Sequence, residues 1–225
     1  MTGSDVKKML HSLGADLCGI ASLDRFDGAP KGFHPQDVFP ACKSVISFAC
    51  RFPVAALSSP TPVVYTRVRN SISEKIDSMA LDACIALERT GIAAVPIPAV
   101  ESIPDPTTSR KRSIVSLKHT AQAAGLGTIG RHSLLLTPEF GAMVWLGAVL
   151  TDAELEPDPL LEPICTDCGL CVHSCPVNAL AQPEVDQAAC YAHAFGEDPA
   201  LGRWVISCHR CRDVCPHLLG TQHTF

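Results

Sequence analysis

No stretch of this chain reaches the roughly 18 apolar residues that a bilayer span needs, so no transmembrane helix is expected. Positive charge is not in excess either. Eighteen Lys and Arg against 23 Asp and Glu leave a formal charge of −5, which gives no basic field to draw in nucleic acid. The first residues, MTGSDVKKMLHSLGADLCGI, show no long apolar core, no cleavage-site pattern and no twin arginine. The expectation is a cytoplasmic chain with reduced thiols. No unit of about 20–50 residues repeats, apart from two cysteine-bearing halves. Aromatic residues are scarce, at 5%.

Cysteine, by contrast, is abundant, with 12 in 225 residues. Eight fall between residues 165 and 215. The first run is Cys165-x2-Cys168-x2-Cys171-x3-Cys175-Pro176, and the second is Cys190, then Cys208-x2-Cys211-x3-Cys215-Pro216. This spacing matches two four-iron, four-sulfide centres. A cubane has four iron corners, each needing one thiolate, and three cysteines two residues apart can wrap three of them. In the two-cluster pattern the cysteine before proline ligates the other cluster. Proline biases that cysteine toward an extended backbone and turns the chain out of the loop. Cys165, Cys168, Cys171 and Cys215 are therefore assigned to cluster one, and Cys175, Cys190, Cys208 and Cys211 to cluster two. Cys190 takes the place of the member missing from the second run.

Zinc and disulfides are the alternatives. Zinc would leave the third cysteine of the first run and both Cys-Pro endings unexplained. Disulfides suit small secreted domains. The remaining Cys18, Cys42, Cys50 and Cys84 lie scattered among apolar residues and read as small buried hydrophobes.

The length fits one large domain or two small ones, and 47% hydrophobic content is ample for a core. Residues 4–13 carry Val6, Met9, Leu10 and Leu13 at helical spacing, with Ser4 as N-cap and Gly14 as the stop. Strands are expected at 15–21, 44–52, 93–99 and 142–152. A long helix is expected from Thr66 to Thr90, closed by Gly91, and a short one over 114–125. The proline-rich stretches 22–42, 53–63 and 100–113 read as loops, the last as a place where ligands are met. The acidic, proline-rich segment 153–163 reads as a linker. The expected organisation is an α/β or α+β domain over 1–155, binding a cofactor or substrate, and a ferredoxin-like double [4Fe–4S] domain over 156–225.

Gly125-x-Gly127-x-x-Gly130 matches the dinucleotide fingerprint by letter. That fingerprint needs a strand before it and a helix after it. Here a helix precedes and a strand follows, so dinucleotide binding of that type is not expected. Two readings stay open: glycines admitting a ligand close to the backbone, or a tight helix-to-strand connection.

The stretch SLKHTAQAAGLGTIGRHSLLLTPEFG, the strand ending in Thr151-Asp152 and the cysteine module together resemble the epoxyqueuosine reductase and reductive dehalogenase superfamily. Weaker likeness runs through PACKSVISF at 40–48 and VYTRVRN at 64–70. The resemblance is strongest to short iron–sulfur members. It implies a nitroreductase-like α/β domain holding cobalamin, fed with electrons by two cubanes in a C-terminal ferredoxin module. It also implies the cross-ligated cysteine sets, Cys190 included. By motif position, Tyr65, Arg67, Gly125, Gly127, Gly130, His132 and Ser133 are expected to line the cofactor pocket. Lys118 and His119 would contact phosphate or carboxamide groups. Epoxyqueuosine reductases carry a proton-donating aspartate in a VDSAP-like segment. Here that region reads PIPAVESIPDP with no aspartate in register, and Glu101 and Asp105 are the stand-ins. The tail after Cys215 is short and the family's C-terminal repeats are absent, so transfer RNA is not expected as substrate.

Three functions remain in view. One is an oxidoreductase whose clusters relay single electrons to cobalamin, a flavin or a small-molecule substrate on the first domain, with an electron-donor protein or reductase as partner. Another is an electron-transfer protein docking to a partner enzyme with no cofactor in that domain. The third is a redox sensor. A carrier needs only the last 70 residues or so, which tilts the reading toward the enzyme.

Overall fold

The computed structural model describes residues 1–105 and 111–221. Helix α1 (Gly3–Leu13) is capped by Thr2 and not by Ser4. Thr2 Oγ1 accepts the Asp5 N–H at 3.3 Å, and the Asp5 carboxylate accepts the Thr2 N–H at 2.9 Å. Such a reciprocal box needs an acid three residues on. From Ser4 that position is Lys7. Gly14, at φ 102°, closes the helix.

Strand β1 (Leu17–Ser22) follows, then a short helix α2 (Pro35–Val38) and strand β2 (Ser44–Arg51). Helix α3 (Pro62–Glu88) starts four residues before the expected Thr66. Thr61 caps it and Pro62 occupies its first turn, where a missing N–H costs nothing. Strand β3 (Ala94–Ile97), the two-residue strands β4 (Ile103–Pro104) and β5 (Lys111–Arg112), and helix α4 (Leu117–Ala123) come next. The glycine-rich segment forms a small hairpin of β6 (Thr128–Ile129) and β7 (Leu135–Leu136) before β8 (Val144–Thr151).

The main sheet has the order β1-β2-β8-β3, and every pairing in it is antiparallel. The first part of the chain is therefore α+β. Both faces are covered, which is why β2 reads as an unbroken apolar run. Ile46, Phe48 and Cys50 face one core with α1 and α3, while Val45 and Ala49 face the other side. Helix α3 sends Ile72, Ile76, Met79, Ala83 and Leu87 into the first core. Full burial of a side chain the size of Ile76 or Leu87 contributes about 1.5–3 kcal/mol. Gly147 pairs with Phe48 across the sheet, and a Cβ there would lie 2.7 Å from Ile76.

From 154 to 169 no helix or strand forms, but the segment is firmly held. Asp158 donates its N–H to the Ile20 carbonyl at 2.9 Å and accepts the Ile20 N–H on Oδ2 at 2.9 Å. It also pairs with Lys7, and its own carbonyl accepts from Arg25 at 2.7 Å. The expected linker is thus a strap across the first part of the chain.

The remainder comprises α5 (Leu170–His173), α6 (Gln187–Ala194), a hairpin of β9 (Phe195–Asp198) and β10 (Arg203–Ile206), and α7 (Arg210–Asp213). It is not a bead on a string. Ile206 enters the first core, and its N–H donates to Thr66 Oγ1 at 2.8 Å. Gly141, at φ 54°, lets the 217–220 backbone press against it, and Ala142 donates to the Leu218 carbonyl at 3.1 Å. No helix among the described residues is long and apolar enough to cross a membrane.

Candidate cluster and cofactor site

None of the twelve cysteines is joined in a disulfide. Cys165, Cys168, Cys171 and Cys215 line one small cavity, together with Arg131, His132 and His217. These four were grouped by spacing alone, although Cys215 lies 40 residues beyond Cys175-Pro176's own run. Burial pushes the Cys171 thiol up, and neighbouring Cys165 and Cys168 add to it. Burial likewise raises Cys215, reinforced by Cys165, Cys168 and Cys171. The other set also clusters. Burial raises Cys190, with Cys208 and Cys175 adding to it. Cys211 is pushed up to about 11 by burial and then by Cys190 and Cys208, and it also senses Cys171 of the first set. The two sets are thus neighbours.

Arg212 lies beside Cys211; it is only 5% exposed and forms no ion pair among the described residues. Its Nη1 donates to Tyr65 Oη at 3.1 Å, and its guanidinium lies 5.7 Å from the ring centres of both Phe52 and Trp145. Its Nε is buried with no partner. A buried unpaired cation is costly unless an anion comes to it. Two backbone donors also reach the sulfurs: Arg131 N–H to Cys165 Sγ at 3.4 Å and Ala179 N–H to Cys175 Sγ at 3.3 Å. Among the described residues, no group of three Cys, His, Asp or Glu is arranged to hold a single metal ion.

Two large cavities lie side by side, and the first of them reaches the second set at Cys190. One, of about 960 Å³, is walled by Cys190, Tyr191, Phe195, Asp186, Gln187 and Lys111. The other, of about 590 Å³, is lined by Phe26 and Phe33 on an aromatic side and by Arg25, Lys111, Arg112, Lys118 and His119 on a basic side. They share Lys111 and Gln187. Desolvation, followed by the nearby cations Lys118 and Arg112, holds the His119 imidazole below its usual range.

No family model matches the chain. It is 39% identical to an epoxyqueuosine reductase of Synechococcus sp. (strain CC9605), over 44% of this chain and 34% of that protein. It is 29% identical to an epoxyqueuosine reductase of Bacillus cereus, over 96% of this chain and 64% of that protein. A solved epoxyqueuosine reductase in complex with an epoxyqueuosine-modified transfer-RNA stem loop superposes with a TM-score of 0.66 at 22% identity, over 98% of this chain and 66% of that one. A reductive dehalogenase solved in a study of B12-dependent dehalogenation gives a TM-score of 0.66 at 17% identity, over 94% of this chain and 31% of that one. Along nearly its whole length the chain is similar to epoxyqueuosine reductases, and it shares its fold with solved epoxyqueuosine reductases and reductive dehalogenases. It spans only about a third to two thirds of the first two relatives.

Within this chain, the motif residues separate into distinct places. Lys118 and His119 line the 590 Å³ cavity. Ser133, at φ 64°, holds Lys118 through its carbonyl at 3.0 Å and through its hydroxyl. Tyr65 is not on either large cavity. It stacks on His209 at 4.6 Å and receives Arg212, beside the second thiol set. Arg67 is exposed, two positions round helix α3 from Tyr65. The glycines face protein and not a cavity. A Cβ at Gly125 would strike the Pro159 carbonyl, one at Gly127 the Leu136 carbonyl, and one at Gly130 the His132 ring at 3.0 Å. These contacts are those of a tight connection from helix α4 into the β6–β7 hairpin.

His132 lines the first thiol cavity. Its pKa is held down to about 4 by burial and then by Arg212 and Lys118. Glu101 is exposed. Asp105 is buried, and its Oδ2 accepts the Arg112 Nε–H at 2.6 Å. Arg212 and the Asp158 strap were not foreseen. Both act through long-range contacts that leave no local pattern.

Proposed function

We propose that this chain is an iron–sulfur oxidoreductase, with residues 156–225 as the cluster-bearing part and 1–155 as the part that binds a cofactor or substrate. The observation that carries this reading is the set of four thiols, Cys165, Cys168, Cys171 and Cys215, around one cavity. Cys175, Cys190, Cys208 and Cys211 form the second set. Eight thiolates with unpaired Arg212 between them suit two anionic [4Fe–4S] centres, which when bound supply one-electron transfer. The ligand spacing leaves zinc without a role for the third thiol or the Cys-Pro endings.

The cavity beside Cys190, and the one that shares Lys111 and Gln187 with it, support a cofactor or substrate near the second set. Their residues fit a large ligand with anionic groups. Phe26 and Phe33 offer apolar surface, while Lys111, Arg112 and Lys118 offer positive charge. Cobalamin is the family-based candidate, supported by the B12-dependent relative, and a flavin is the alternative. His119 is held neutral near pH 7 and can accept or pass a proton at a ring nitrogen; its Nδ1 lies 2.7 Å from Ser116 Oγ. Asp105 serves as the charge partner of Arg112 and keeps that guanidinium at the cavity wall. Transfer RNA is a substrate of interest only by analogy with the relative solved on a stem loop. A formal charge of −5 supplies no general attraction to it.

The electron-carrier reading draws on one observation: the glycine segment packs on its own chain and so does not account for a ligand. Anaerobic purification with iron, sulfide and full visible-spectrum analysis tests both. About eight irons and eight sulfides per chain are expected, with corrinoid or flavin bands superposed on the cluster absorbance. Cluster absorbance alone, unchanged on adding cobalamin or flavin, would leave the carrier. Zinc without sulfide would overturn the reading altogether.

A further inference from the structure

His132 is the candidate that the observations carry furthest. The residue is 5% exposed, and its ring forms part of the wall shared by Cys165, Cys168, Cys171 and Cys215. Its Nδ1 accepts the Leu134 N–H at 3.1 Å. That bond fixes the lone pair on Nδ1 and leaves the proton on Nε2. Yet Nε2 is buried and has no partner. A buried N–H without an acceptor costs about 1–3 kcal/mol, so this one implies an acceptor that occupies the cavity.

Gly130 explains how the ring reaches this seat. A Cβ there would lie 3.0 Å from His132 Cε1 and 3.3 Å from Nδ1. The absence of a side chain admits the imidazole edge-on. His217 shares the cavity wall but is partly open to solvent, so its ring does not depend on a cavity ligand for satisfaction. His132 does.

We propose that His132 is a positioning and tuning residue whose Nε2–H donates a hydrogen bond to a sulfur of the centre held by Cys165, Cys168, Cys171 and Cys215. This rests on the iron–sulfur reading above. Hydrogen bonds to cluster sulfurs are one determinant of reduction potential. A donor stabilises the reduced, more negative state more than the oxidised one. His132 therefore raises the potential of that one centre, and the second centre keeps its own.

The test is a potentiometric titration of the reconstituted full chain, with titanium(III) citrate as reductant and paramagnetic resonance as readout. His132→Leu is expected to lower the midpoint of one centre by about tenfold in its reduction equilibrium, about 59 mV for a one-electron couple. His132→Gln, which retains a donor at similar reach, is expected to recover most of that shift. Unchanged midpoints in His132→Leu at full iron content would overturn the inference and leave the cluster reading intact. Failure of the wild type to take up iron and sulfide would sink the cluster reading itself. Should His132→Leu not fold, wild-type protein carrying 15N-histidine serves instead. Hyperfine coupling of one imidazole nitrogen to one reduced centre, lost in His132→Gln, is expected, and its absence in the wild type refutes the bond.

Discussion

Gly127→Ala separates the two readings of the glycine segment. The added methyl would land on the Leu136 carbonyl oxygen, with the carbonyl carbon 2.9 Å away and Leu135 Cγ at 3.2 Å. Leu136 is fully buried, and it pairs with Thr128 in the hairpin, so its carbonyl cannot swing aside as a surface side chain would. Overpacking of this kind costs about 1–3 kcal/mol, and a backbone obstruction belongs at the upper end. Gly127 has no positive φ, so alanine also restricts the unfolded chain, returning about 0.4–1 kcal/mol. The net loss is about 2 kcal/mol. With a urea slope of about 3 kcal/mol per molar, the unfolding midpoint falls by roughly 0.7 M. Gly196→Ala is the control, since nothing lies within 4 Å of a Cβ there. A Gly127→Ala midpoint equal to wild type, accompanied by loss of cofactor or substrate binding, would refute the packing argument.

Burial pushes Cys18 and Cys84 up to about 12 and Cys42 up to about 11, and it raises Cys50 as well. Iodoacetamide at pH 8 should therefore leave these four unlabelled in the folded holoprotein and label all of them in urea, as read by peptide mass spectrometry. Asp105→Asn strips the charge from a buried partner of Arg112; because Arg112 is about one third exposed, the expected loss is discounted to roughly 1–2 kcal/mol, read as a lower unfolding midpoint. Cys171→Ser should remove more than one centre's iron and resonance signal, because Cys171 also neighbours Cys211 of the other set; full folding with one intact centre would contradict it. Acidification provides a fourth check. The folded His119 pKa lies below the unfolded value near 6.5, so its contribution to stability is present above that value and is lost as pH falls through it. His119→Gln should flatten that part of the stability–pH curve.

Strands β2, β3 and β8 were legible because each is a compact apolar run bounded by loop-forming residues. Their antiparallel arrangement was not, since element order alone does not determine which neighbours pair. The start of α3 was misread because Pro62 looks like a breaker in sequence, whereas proline in a first turn is favourable. The N-cap of α1 depended on a reciprocal partner, Asp5, and that singles out Thr2 over Ser4. The two thiol groupings were legible because ligand spacing is a chemical constraint that survives without knowledge of the fold. The glycine segment was not, because its letters say that something approaches closely and not whether it is ligand or backbone. The partnership of Arg212 with Tyr65, Phe52 and Trp145 joins four separate parts of the chain and leaves no trace in any one of them.

Strand β1 is the outermost member of its sheet, with β2 on one side only. Outer strands are templates for unwanted pairing between molecules. Asp158 occupies that margin, using both its main chain and its carboxylate on Ile20. The segment joining the two parts is therefore also a guard against self-association. Excising residues beyond about 155 would bare that margin, and the shortened protein should aggregate rather than persist as a free-standing first half.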